Sequence, residues 1–185
     1  MVSTNNLKNG MAVKIDGELW RVDYFQHVKP GKGGAFVRTT LKGVQNGKTI
    51  DRTFRAGEEL EQAILEKRSL QYLYREGDSY VFMDTEHYEQ SHVAERAIGD
   101  AAKWIKEGDT IDLVFHGEEV VDVNLPANVT LVITQTEPGV QGDRVSGATK
   151  PATLETGAVV SVPLFINEGE TIKVDTRSGE YISRA

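Results

Sequence analysis

The chain has 185 residues, 39% of them hydrophobic and 26% charged, and a formal net charge of −7. This is enough to bury a substantial core in one or two domains, and too apolar for an intrinsically disordered chain. Without cysteine, disulfides and thiolate metal sites are excluded; without a signal-peptide core or any run near the roughly 20 apolar residues that span a bilayer, a cytoplasmic protein with no membrane partner is expected.

The acidic total argues against a nucleic-acid partner until it is divided. Residues 1–64 hold ten Lys and Arg against seven Asp and Glu, residues 65–128 six against fourteen, and residues 129–185 five against seven. A basic excess of +3 therefore sits in the first third beside a middle third of −8. An acidic total can hide a local surface suited to phosphate.

Period-two alternation broken by turn residues dominates the chain, the pattern of half-buried antiparallel strands. "MAVKIDGELWRVDYFQHV" carries the two-residue hairpin signal Asp16-Gly17 between two strands, and "TTLKGVQNGKTIDRTF" repeats the device at Asn46-Gly47. Between them lies "HVKPGKGGAF". A phosphate-binding P-loop would need a Ser or Thr and a helix after its lysine, whereas Lys32 is followed by Gly33, Gly34, Ala35 and then β-formers. The stretch reads as a hairpin tip: Pro30 fixes one torsion, Gly31, Gly33 and Gly34 permit tight reversal, and Lys32 is expected in solvent. The first third is thus a meander of four or five strands, enough for a small barrel.

Composition favours a helix over "GEELEQAILEKR", residues 57–68, with Leu60, Ala63 and Ile64 as its apolar positions. "LQYLYREGDSYVFMDTE" returns to strands. "VAERAIGDAAKWIKEGD" predicts a second helix, with Asp100 as N-cap and Gly108 as stop. "TIDLVFHGEEVVDVNLP" is a hairpin that Pro126 ends, and the last third is strands around the polar loop "VQGDRVSGATKP".

A repeat supports this division. "EGDTIDLVFHGEEV" from Glu107 and "EGETIKVDTRSGEYI" from Glu168 open almost identically, and "NGMAVKIDGELW" from Asn9 is a looser cousin. Self-similarity at one domain length argues for consecutive small β-barrels over one large sandwich.

Catalytic signatures are missing. His27, His87, His92 and His116 are scattered without a ligand spacing, no G-x-S-x-G elbow occurs, and Glu58-Glu59 and Glu118-Glu119 are adjacent pairs that a strand would point to opposite faces. No catalytic residue, metal site or cofactor is expected, and the chain is not read as an enzyme. Tyr72, Tyr74, Tyr80 and Phe82 suit barrel core, or alternatively base stacking on a free-standing OB-fold module that binds single-stranded nucleic acid.

The tip "VKPGKGGAFVR", the run "YLYREGDSYVFMD" and the C-terminal "KPATLETGAVVSVPLFINEGETIKVDTRSGEYISR" resemble the bacterial translation elongation factor P family, and the likeness runs end to end. The resemblance implies an all-β, L-shaped molecule of tRNA-like outline. A KOW/SH3-like barrel (1–64) would be followed by two OB-fold barrels (65–126 and 127–185). It implies a monomeric, non-enzymatic factor that binds the 70S ribosome between the peptidyl and exit sites. There it would contact rRNA and peptidyl-tRNA, and stimulate peptide-bond formation at consecutive prolines. Lys32 matches the tip residue that a lysine-modifying enzyme extends in the family; which group it receives is left open. Lys29 and Arg38 on the arm would hold RNA backbone. Gly142, Asp143 and Arg144, with Tyr181 and Arg184, are candidates for contacts with messenger and tRNA in the third domain. Arg144 departs from the small residue expected after Gly-Asp. An elongation-factor-P-like paralogue acting on other stall sequences is the nearest alternative.

Overall fold

The computed structural model describes residues 1–139 and 148–185, and the fold is all-β. Its strands form three sheets, and the chain divides into two compact units, Met1–Arg68 with Val114–Asp122, and Ser69–Leu113 with Val123–Ala185.

In the first unit β1 (Val2–Ser3), β2 (Ala12–Ile15), β3 (Glu18–Val28), β4 (Phe36–Gly43), β5 (Thr49–Arg55) and β6 (Glu59–Ala63) form one antiparallel sheet of order β1-β6-β2-β3-β4-β5. Asp16 and Gly17 make the expected two-residue turn, since Ile15 pairs directly with Glu18. At Asn46-Gly47 the expectation fails: the last ladder pair is Lys42 with Thr49, and a longer loop closes through Gly43 N–H to the Lys48 carbonyl. Asn46 folds its carboxamide back to accept from Lys48 N–H at 2.8 Å, a local bond that competes with the tight hairpin turn. The predicted helix over 57–68 is also overturned. Those residues form β6 and the start of β7, with Leu60 paired to Val2 and Ala63 to Ala12. Leu60 and Ala63 are three apart, which suits a helix face, but burying them in the sheet outweighs a weak propensity.

Val13, Ile15, Trp20, Val22, Val37, Leu41, Phe54 and Leu60 make the sheet's core. A second cluster joins Ala12, Leu19, Val44 and Ala63 to Val114 and Val121.

The middle sheet has order β11-β10-β7-β8-β9, from β7 (Glu66–Glu76), β8 (Ser79–Met83), β9 (Gln90–Ala94), β10 (Thr110–His116) and β11 (Glu119–Asn124). The last has order β14-β13-β12-β15-β16, from β12 (Asn128–Thr136), β13 (Thr149–Leu154), β14 (Val159–Pro163), β15 (Thr171–Asp175) and β16 (Tyr181–Arg184). Numbered from its own first strand, each of these two five-stranded sheets runs 3-2-1-4-5, so the repeat read at Glu107 and Glu168 is a repeat of topology.

The likeness extends to single hydrogen bonds. Gly108 N–H donates to the Tyr72 carbonyl while Tyr72 N–H donates to Asp109; Gly169 and Glu170 treat Ile133 in the same way, and Gly10 and Met11 so treat Val22. In all three cases the clasped residue sits at a register shift, where one strand gains an extra residue: Asp23 after Val22, Leu73 after Tyr72, Thr134 after Ile133. Such β-bulges re-aim the next side chain. Tyr24, Tyr74 and Gln135 consequently face outward.

The predicted helix at Asp100 lies elsewhere. A single turn, α1 (Glu95–Ile98), ends at Gly99 (φ 55°), and a 3-10 turn, Gly99–Lys103, follows. One turn cannot propagate alone, and the path is set by Ile98, Trp104 and Ile105, which are buried. Trp104 joins the core of the last sheet, with Leu131, Ile133, Leu154, Val162, Ile172 and Val174. Gly108 belongs to the turn into β10, where Asp109 N–H reaches the Lys106 carbonyl at 3.0 Å.

A candidate RNA-facing arm

Strands β3 and β4 continue to the tip paired Gln26 to Arg38, His27 to Val37 and Val28 to Phe36, with β5 alongside β4 through Arg38–Thr53, Val37–Phe54 and Phe36–Arg55; this three-stranded end of the sheet and the tip beyond it form the arm. Along it Phe25 and His27 meet edge to face at 5.6 Å, and the Arg38 guanidinium lies 5.4 Å from the centre of the Phe36 ring. These contacts add to a sheet end that already packs on the core through buried Val37 and Phe54 and partly buried Phe25. At its base the Ala35 carbonyl accepts from Ala56 N–H at 3.1 Å, tying the end of the tip to the turn after β5.

The tip is residues 29–35, and from Lys29 to Gly34 every residue is exposed. Gly33 has φ 105°, a conformation that side chains resist. Gly31 and Gly34 do not, and a Cβ placed on any of the three glycines meets nothing within 4 Å. Packing inside this chain therefore does not require Gly31 or Gly34 to be small. Lys32 sits among them in solvent. Lys29, Pro30 and Lys32 lie in the exposed tip, and Arg38 lies exposed in β4 where that strand pairs with β3 and β5.

The third-domain residues are not free in the same sense. The Arg184 guanidinium stacks on Phe165 at 4.7 Å, pairs with Glu170 at 3.2 Å and donates to the Phe165 carbonyl at 3.3 Å, while Tyr181 packs half-buried against the core. Gly142, Asp143 and Arg144 lie outside the described residues.

Of the four aromatics considered for base stacking, Tyr72, Tyr80 and Phe82 are core. Their rings touch at 5.4 and 5.8 Å, and burial pushes the Tyr72 hydroxyl above its ordinary range. Only Tyr74 of the four is exposed. The donor atoms of Asp84, Glu86 and His87 lie within 4.8 Å of one another on an exposed turn. Asp84 accepts from the Glu86 amide at 2.8 Å, and this bond, foremost, holds its carboxyl below the usual range.

The sequence reading passes over Tyr24. Simple alternation after Val22 assigns it to the core face, and only the bulge turns it out, to 55% exposure. The neighbouring Asp23, a poor strand residue between apolar ones, was the available signal.

Three antiparallel β sheets in series, the first carrying an exposed lysine on a glycine-flanked hairpin tip, define the class as a chain of small β domains. Family models match along nearly the whole chain: the elongation factor P (EF-P) KOW-like domain at residues 3–60, the elongation factor P (EF-P) OB domain at 65–123, and elongation factor P, C-terminal, at 129–184. The elongation factor P of Acidothermus cellulolyticus is 60% identical over 185 residues, covering 100% of this chain and 99% of that protein. That of Acaryochloris marina is 53% identical over 184 residues, covering 100% of both. Among solved structures, a eukaryotic translation initiation factor 5A from Methanococcus jannaschii superposes with TM-score 0.51 at 25% identity, over 66% of this chain and 92% of that one. The chain belongs to the elongation factor P family and is a translation factor.

Proposed function

We propose that the protein binds the 70S ribosome between the peptidyl and exit sites and stimulates peptide-bond formation at consecutive prolines, by ordering peptidyl-tRNA through Lys32. The observation that carries this reading is the tip, where a lone lysine stands in solvent between glycines that meet nothing of their own chain. A slow transfer to proline leaves the acceptor end of peptidyl-tRNA time to wander, and holding it lowers the entropic part of the barrier without any proton-transfer group. The ammonium offers three hydrogen-bond donors on a flexible stem. A modifying enzyme that lengthens Lys32 adds reach and donors. Lys29 and Arg38 grip phosphate along the arm, and rRNA and tRNA together form the partner surface.

Arg184, engaged by Phe165 and Glu170, takes a lesser part in RNA contact, with Tyr181. The acidic middle third faces solvent or basic ribosomal proteins. Within this reading the domains are 1–64, 65–126 and 127–185, and the factor is a cytoplasmic monomer; among the described residues no helix is long and apolar enough to cross a membrane. The test is direct. Intact mass and peptide mapping of residues 29–38 should reveal an added group on Lys32, and Lys32→Ala should lose rescue of a polyproline reporter. A Lys32→Ala variant that rescues as well as the parent overturns the proposal.

A further inference from the structure

The outer face of β3, β4 and β5 carries a groove of about 250 Å³ lined by Tyr24, Gln26, Arg38, Thr40, Asp51 and Thr53, among others. We propose that this groove is a subsite for one unpaired ribonucleotide whose base bears an exocyclic amino group. The proposal rests on the reading of the arm as RNA-facing and deepens it.

The registers fix the layout. Tyr24, Thr40 and Asp51 form one row across the three strands, and Gln26, Arg38 and Thr53 form the next row on the same face. Ring and carboxylate stand two strand spacings apart, about 10 Å, and the rows about 7 Å apart. A nucleobase lying on Tyr24 reaches along the first row toward Asp51. Its ribose and phosphate then fall toward Arg38.

Three observations select this occupant. The bulge at Asp23 turns a tyrosine out of the core face and leaves it 55% exposed. An aromatic face on a sheet beside cations is the stacking platform single-stranded RNA uses. Arg38 lines the groove in the one third of the chain with a positive balance, matching a single phosphate; Arg52, next to Asp51 on β5, sends its guanidinium to the other face, over Phe54. Finally, Thr40 Oγ1 donates to Asp51 Oδ1 at 3.0 Å, orienting the carboxylate. A carboxylate has about four acceptor positions, and this bond uses one. A carboxylate accepts from an amino group such as that of cytosine N4 and repels a carbonyl, so uracil is the disfavoured base.

The test is titration of the whole 15N-labelled chain, observed by NMR, with CMP, AMP, UMP and, separately, inorganic phosphate. CMP and AMP should shift the amides of Tyr24, Gln26 and Thr40, UMP should bind at least about threefold more weakly, and phosphate should leave Tyr24 and Thr40 unmoved. Tyr24→Ala should weaken CMP by about fivefold or more, the low end of base–aromatic stacking. Tyr24→Phe should restore it, and Asp51→Asn should narrow the gap between CMP and UMP. Phosphate reproducing the nucleotide shifts, UMP matching CMP, or Tyr24→Ala binding as well as the parent each overturns the subsite. Lys32→Ala should titrate like the parent. Groove binding that survives alongside a Lys32→Ala variant still active on polyproline would sink the Lys32 reading alone, and a lost groove with a dead Lys32→Ala variant would sink the subsite alone.

Discussion

Glycine shows how differently one residue type is used along this chain. At Gly139 a Cβ would lie 2.5 Å from the Leu164 carbonyl oxygen, a backbone atom that cannot swing aside. At Gly34 it would meet nothing within 4 Å, and φ there lies outside the left-handed region. Gly139→Ala should therefore destabilise by about 1–3 kcal/mol, the range of forced overpacking, whereas Gly34→Ala should leave the melting temperature within error; thermal unfolding of the two variants side by side decides it. If Gly34→Ala also weakens polyproline rescue at unchanged stability, the constraint on that position comes from a partner. At this scale the exposure of the tip was legible: Lys32, Pro30 and the glycines announce it by composition. Arg184 was not, because a terminal arginine looks solvated until Phe165, nineteen residues away in the chain, is seen beneath it.

Among the elements, the two-residue hairpin was legible at Asp16-Gly17 but not at Asn46-Gly47, where the Asn46 carboxamide closes a longer loop, and strands were legible wherever alternation was clean. What escaped was whatever tertiary partners decide. Strand β6 closes the first sheet by pairing with β2 and β1, and its Leu60 and Ala63 spacing cannot announce that. The bulges escaped for a related reason, since each is specified by a clasp between a glycine turn and a residue 12 to 36 positions distant. The short helical turns after β9 serve to deliver Trp104 to the core of the last sheet. Thr156 Oγ1 donating to the Lys103 carbonyl, and Lys106 paired with Glu155 at 3.7 Å, secure the same junction. Trp104→Ala should cost about 3–5 kcal/mol, measured by urea unfolding. Lys106→Ala, breaking an exposed pair, should cost under about 1 kcal/mol. Equal costs would mean the indole is not the anchor.

Over the whole molecule, charge is segregated along the chain, with +3 in residues 1–64 against −8 in residues 65–128. If RNA is gripped through Lys29, Lys32 and Arg38 as proposed, affinity should fall with salt at a log–log slope of roughly −2 to −3, about 0.7 to 0.9 per phosphate neutralised. Ribosome binding measured across a potassium series tests this, and a slope near −10 would require far more basic contacts than the arm presents. The same segregation means that the total of −7 describes no single part of the chain.

Trp20 lies in the core of the first sheet and Trp104 in that of the last, and they are the chain's two tryptophans, one in each compact unit. Each unit therefore carries a native fluorophore. Exchanging either indole for phenylalanine leaves a single-emitter protein, in which ribosome docking or melting can be followed one half at a time without attaching a dye.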